Sequence, residues 1–296
     1  MGRFKALTYA SVVALGAAQA AHAADLLPPP PPIEAPPLRG AVVEEPSGFY
    51  LRGDIGLGIS EMGTTRSSFD DPTVAVPDAR IDHAEIGDST FVGVGLGYQF
   101  NTWFRADVTG EYRGQAAINT VASYNPTYNG VYAPGVCGNT ASPQRCYDLY
   151  SGTVSSAVFL LNGYVDLGTW YGLTPYVGAG VGVSTIRVGS FNDRSVGNTG
   201  GGYSDAQNFT NFTWAAMAGL GYHVTQNLIL EASYRYLDQG NVFSGQIVCQ
   251  PNGSNPCPLE RQHFHLASND FRLGARWLLS GPAPMYDPGL PVRAKY

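Results

Sequence analysis

From Phe49 to Leu279 apolar and polar side chains alternate along eight segments. A period of two marks a β-strand whose two faces meet different surroundings. In segment 49–60, Phe49, Leu51, Ile55, Leu57 and Ile59 share one face, and Arg52 and Asp54 the other. In 90–100, Val92, Val94, Leu96, Tyr98 and Phe100 oppose Gly93, Gly95, Gly97 and Gln99. In 103–113, Phe104, Ala106, Val108 and Tyr112 oppose Arg105, Asp107, Glu111 and Arg113. The fourth and fifth segments form a hairpin around 162–182. There Phe159, Leu161, Val165 and Leu167 oppose Asn162, Tyr164 and Asp166, while Val177, Ala179, Val181 and Val183 oppose a row of glycines. Segment 212–224 has Trp214, Leu220, Tyr222 and Val224 on its apolar face. In 228–237, Leu228, Leu230, Tyr234 and Tyr236 oppose Glu231, Ser233 and Arg235. In 270–279, Phe271, Leu273, Ala275, Trp277 and Leu279 oppose Asp270, Arg272, Gly274 and Arg276.

The charged faces decide the architecture. They carry six arginines (Arg52, Arg105, Arg113, Arg235, Arg272, Arg276) and six acids (Asp54, Asp107, Glu111, Asp166, Glu231, Asp270). The opposite faces carry Leu, Val, Phe and Ala and end in Tyr or Trp. That is apolar-out and polar-in with aromatic residues at the interfaces. Each segment has about the length of a tilted crossing, and lipid offers no partner to an open strand edge. The expected fold is all-β, an eight-stranded antiparallel up-and-down transmembrane β-barrel over 49–279. The connections at 101–102, 168–173 and 225–227 are short, and those at 61–89, 114–152, 189–211 and 238–268 are long. Short periplasmic turns and long extracellular loops are the expected asymmetry.

Residues 1–23 read as a secretory signal, with Arg3 and Lys5 ahead of an apolar run and Ala21-His22-Ala23 as a cleavage site. Removing them takes the formal charge from −6 to −8, because two cations and no acids are lost. Five consecutive prolines make 24–48 a polyproline spacer in the periplasm. Residues 280–296 form a tail containing Pro and Gly, too short for a globular domain.

The runs NGYVDLG and TPYVGAGVG, then LEASYRYLD at 230–238 and DFRLGARWLL at 270–279, occur in this order. They resemble the small outer-membrane β-barrel proteins of alphaproteobacteria, the opacity-type or surface-antigen family. The resemblance covers roughly 48–279 and implies fold and location more than activity. Arg272, Gly274, Trp277 and Leu279 also resemble the barrel-assembly signal of such proteins, although seventeen residues follow it here.

Candidate chemistry lies in the loops and the lumen. Cys137 and Cys146 are nine apart, Cys249 and Cys257 eight apart, and a secreted chain meets an oxidising compartment. Of the three pairings that four cysteines allow, the two local ones are favoured. No C-x-x-C spacing points to a cysteine metal site. His263 and His265 would face one way on a strand and make an incomplete metal or haem site. Some members of the resembled family bind haemin. Some eight-stranded outer-membrane barrels deacylate lipid A, but His265 and Ser268 are three apart and point to opposite faces, so no enzyme is expected. Twelve charges in balance suit a plugged lumen better than a selective channel, which would carry a sign bias. Arg272 and Arg276 are expected to neighbour Asp54 across the closure of the barrel, and the glycine rows of the second and fifth segments to give the long arginines room. The expected function is therefore a surface envelope protein whose loops meet host or envelope components. A narrow porin and a haemin or metal receptor are the alternatives. The expected partner in the membrane is outer-membrane lipid. No cofactor and no nucleic acid are expected, and the oligomeric state is left open.

Overall fold

Eight antiparallel strands close on themselves. They are β1 Gly48–Met62, β2 Ser89–Gln99, β3 Phe104–Tyr124, β4 Cys146–Asp166, β5 Leu173–Val188, β6 Gln207–His223, β7 Leu228–Phe243 and β8 Glu260–Leu278. Each pairs with the next, and β1 pairs with β8 from Tyr50↔Leu278 to Met62↔Leu266. This computed structural model describes residues 47–63, 65–69, 80–125, 127–128, 131–132, 145–196, 201–249 and 260–279. The expected signal 1–23, almost all of the spacer 24–48, the tail 280–296, Cys137 and Cys257 lie outside the described residues.

The alternation places the side chains. Leu51, Ile55, Leu57, Val94, Leu96, Val108, Leu161, Val177, Leu220, Leu230 and Leu273 all face outward and are exposed. Aromatic residues gather at both margins of this band. At the short-turn end Tyr98 stands edge-on to Phe49 and Phe100, with ring centroids 4.9 and 5.0 Å apart. At the other margin Trp214 lies against Tyr236 at 5.4 Å and Tyr234 against Phe271 at 5.7 Å. This arrangement suits a lipid core with aromatic girdles.

The turns are built locally. Asn101 Oδ1 accepts from the backbone N–H groups of Trp103 and Phe104 at 3.0 and 2.7 Å. Thr225 Oγ1 accepts from the Leu228 N–H at 2.9 Å. The β4–β5 turn needs left-handed backbone at Gly168, Tyr171 and Gly172, which glycine adopts without the steric cost that Tyr171 bears.

The strands run further than the alternation indicated. β3 and β4 each have 21 residues, reaching into the stretch 114–152 that was expected to be loop. At about 3.3 Å per residue, β3 is about 70 Å long, whereas a tilted crossing needs only about 9–11 residues. Likewise β8 begins at Glu260 and β7 continues to Phe243. Short strands extend the wall as a crown. Arg80–Ile86 pairs with β3, Asn192–Val196 with β4, and Arg66–Phe69 with β8. Gly201–Tyr203 links Asn192–Val196 to Val248–Cys249.

The reason these extensions escape a lipid-facing pattern is that the polarity inverts. A bulge between Arg113 and Ala116 resets β3. Below it the inward positions are Arg105, Asp107, Thr109, Glu111 and Arg113; above it they are Ala116, Ile118, Thr120 and Ala122, all buried. The outward positions above it, Gln115, Ala117 and Asn119, are exposed. Val154, Ile186, Val188, Phe191, Val242, Phe264 and Leu266 complete an apolar cluster inside the crown. The lower half is thus polar inside and apolar outside, whereas the upper half follows the rule of a barrel in water.

Candidate functional site

All twelve lumen charges singled out from the sequence sit inside the barrel and are 7% exposed or less. They fall into two networks. In the first, Arg113 and Arg235 share Glu111 and Asp270. Arg113 donates to Asp270 at 2.9 and 2.8 Å and to Glu111 at 3.1 Å. Arg235 donates to both Glu111 oxygens at 2.8 Å and to Asp270 at 2.8 and 2.6 Å. Two cations and two anions balance.

The second network holds the other four arginines and four acids. Arg52 grips Asp54 in a two-point contact at 3.0 and 2.8 Å and donates to Asp107 at 2.9 Å. Arg272 meets Asp54 across the β1–β8 closure at 2.9 Å. Arg105 reaches Asp166 at 3.2 Å. Glu231 lies at the centre, 3.3 Å from Arg52, 3.3 Å from Arg105 and 3.2 Å from Arg276. Arg276, which its position in sequence had set beside Asp54, instead reaches Glu231 and donates to Gln99 at 3.0 Å. The side chain is long enough to pass the wall position opposite it.

Neutral partners complete the interior. The Tyr164 hydroxyl accepts from Arg52 at 2.8 Å, and the Tyr50 hydroxyl donates to Asp107 at 3.1 Å. Asn162 donates to Asp107 at 2.7 Å. The Arg105 guanidinium lies between the Tyr164 and Tyr176 rings, 4.2 and 4.6 Å from their centres. Arg113 and Arg235 flank Phe91 at 4.9 and 5.2 Å. Stacked and paired guanidinium groups of this kind need the planar fork of arginine and would not survive exchange for lysine. The alternation places Tyr164 on the face of Asp166, and Tyr176 pairs with Asp166 in the ladder, but nothing in the pattern marks these rings, or Tyr50 and Phe91, as partners of the arginines.

The glycine rows have a related but different use from the one their position suggested. A Cβ at Gly58 would collide with the Arg113 guanidinium, so there glycine does make room for an arginine. At Gly97, however, a Cβ would collide with the Tyr50 ring. On β2 and β5 the rows make room for inward aromatic and amide side chains as much as for arginines.

Above the first network Ser60, Ser89, Ser156, Gln239 and Ser268 line a void of about 30 Å³, which is room for a water or two. The apolar cluster of the crown lies beyond it, with Ala116, Val154 and Leu266 bordering both. Higher still, Asp148, Tyr150, Asp193, Glu260 and Gln262 belong to the crown. Tyr150 donates to Glu260 at 2.7 Å, and Ser195 to Asp148 at 2.6 Å. Burial, then the neighbouring Asp148 and Glu260, push the Asp193 carboxyl up to about 7.

His263 and His265 both lie on the outer wall of β8. His263 packs on the Phe243 ring at 5.5 Å, and His265 lies 3.1 Å from both Asp238 and Asn241. Ser268 is inside, where its hydroxyl accepts from Arg113 at 3.1 Å, so it does not meet His265. Among the described residues no group of three or more His, Cys, Asp or Glu is arranged to hold a metal ion. Cys146 is disulfide-bonded.

Residues 10–266 match the family model described as outer membrane protein beta-barrel domain. An uncharacterized protein of Brucella abortus is 31% identical over 76% of this chain and 78% of its own length. The outer membrane protein PagN of Salmonella typhimurium is 25% identical over 79% of this chain and 91% of its own. The crystal structure of the outer membrane protein OprG from Pseudomonas aeruginosa is matched with a TM-score of 0.46 and 12% identity, over 79% of this chain and 96% of that one. With its lipid-facing band, closed ring of strands and inward charges, the chain belongs to the family of outer membrane proteins built on a β-barrel domain, and its place is the cell outer membrane.

Proposed function

We propose that this protein is a closed barrel that displays a folded crown at the cell surface, rather than a channel. The observation that carries the reading is the succession of fillings in one bore. Two charge-balanced networks are followed by the apolar cluster around Ile118, Ile186, Phe191 and Phe264, whose members are at most 7% exposed. An ion would have to part paired charges and then cross an apolar layer without hydration, and each step is costly. An eight-stranded bore is narrow enough for side chains to fill. The extended strands serve display, because they lift the loops clear of the lipid surface.

The experiment is conductance of the refolded full-length protein in a planar bilayer. The expected wild-type record is silent. Phe264→Ala combined with Arg113→Ala, which thins the apolar layer and opens the network beneath it, is expected to give discrete openings. Steady conductance of the wild type would overturn the closed-bore reading in favour of a narrow porin.

A further inference from the structure

Among the described residues the outward acids on the strands of the crown lie on one side of its wall. On the side of β1, β7, β8 and the strand Arg80–Ile86, the outward residues include the acids Glu61, Asp82, Glu85 and Asp238 together with Arg80 and Arg261. On the side formed by β4, β5 and Asn192–Val196, the outward charges among the described residues of these strands are Arg187 and Arg194, both exposed. Neither enters an ion pair among the described residues, whereas Asp82 is held by Arg80 at 2.7 Å. The acids of the second side, Asp148 and Asp193, point inward, and the exposed acid Asp205 follows only in the connection to β6.

Around Arg194 the wall carries apolar and aromatic side chains that no lipid covers. Tyr147, Leu149, Val196, Tyr203 and Val248 are 39–50% exposed. The register makes them one patch. Tyr147 pairs with Val196, Leu149 with Arg194, Ser151 with Asn192, Asn192 with Tyr203, and Tyr203 with Val248. Leu149 lies ten residues beyond Phe159, the last bulky member of the lipid band on β4. At about 3.3 Å per residue and a tilt of about 40°, that is roughly 25 Å above the band. A patch at this height stands among the saccharides of the outer leaflet, not among acyl chains.

We propose that this wall binds the phosphorylated saccharide of the membrane's own outer-leaflet glycolipid. Two tyrosines offer flat, amphipathic faces for sugar rings. Asn192 and Ser151 supply adaptable hydrogen bonds, a combination with tyrosine that recurs in recognition surfaces. Arg194 supplies a planar cation suited to two-point phosphate contact. Among the described residues of β4, β5 and Asn192–Val196 no outward acid stands beside it, which favours an anionic partner and disfavours a basic one. The binding is independent of whether the bore is closed.

The test uses refolded full-length protein in neutral detergent. It is titrated with deacylated, phosphorylated core oligosaccharide from a rough-type lipopolysaccharide, which has no acyl chains to reach the lipid band. Saturable binding is expected, weakened by added salt. Arg194→Ala and Tyr203→Ala are each expected to weaken it at least fivefold, Arg194→Lys less so, and Glu85→Gln on the other wall not at all. Heat-dependent gel mobility checks that each variant retains its barrel, and the salt titration of the wild type does not depend on the variants. Equal binding of the dephosphorylated oligosaccharide would overturn the proposal, as would absence of binding or unchanged affinity in both alanine variants. Tighter binding of a sulfated oligosaccharide of the same length would also overturn it, by assigning the wall to a glycan from outside the cell.

Discussion

Removing one charge from the four-membered network should cost more than removing a matched pair. Asp270 is fully buried and accepts two hydrogen bonds from Arg113 and two from Arg235, all between 2.6 and 2.9 Å. Arg235→Met takes away half of these donors and leaves Glu111 and Asp270 to share Arg113 alone. At an effective dielectric constant near 20, two unit charges about 4 Å apart interact by about 4 kcal/mol. Breaking a buried pair by removing one partner costs about 3–5 kcal/mol, because the survivor remains desolvated. The two routes agree. Asp270→Asn should cost a similar amount, since it leaves Arg113 and Arg235 with Glu111 as their single anion. The double variant restores neutrality with one cation and one anion, so its cost should fall short of the sum by more than about 1 kcal/mol. The assay is urea unfolding in lipid vesicles, followed by tryptophan fluorescence, for the wild type, both singles and the double. Costs that simply add to within about 0.5 kcal/mol would refute the argument. They would mean that the charges act separately, each compensated by water.

Two further outcomes are expected. The Asp193 carboxyl is raised to about 7, by burial first and then by Asp148 and Glu260. A carboxyl raised above its unfolded value favours the folded crown fully below about pH 4 and loses that contribution as pH rises through about 7. Limited proteolysis near Asn192–Val196 should therefore be slower at pH 5 than at pH 8, and Asp193→Asn should flatten the difference; a profile that is flat or reversed in the wild type would contradict this. Non-reducing peptide mapping should find Cys137 joined to Cys146 and Cys249 to Cys257, each bridge between cysteines close in sequence, and a peptide joining one pair to the other would exclude that pairing.

What the chain determined by itself is the part governed by local periodicity. Two-residue alternation with Leu and Val on one face and Arg and Asp on the other suffices to specify strands between lipid and lumen, because the backbone sends successive side chains to opposite faces. Asn101, Thr225 and the glycines of 168–172 marked the turns, whose geometry depends on adjacent residues only. Which charges meet was a different matter. Parity assigned Arg276 to the lumen, yet only the register of β8 against β7 set it beside Glu231, on the hairpin side, instead of Asp54 across the closure. The crown was least legible. Ile118, Ile186 and Phe264 alternate as regularly as Val94 or Leu161, but they face inward, Ile118 after the bulge in β3 and the other two in unbroken alternation along β5 and β8, where the medium outside has changed from lipid to water. A pattern of alternation gives two faces without saying which is inside. That assignment depends on the solvent each face meets, and only the tertiary structure, by carrying the strands beyond the membrane, decided it.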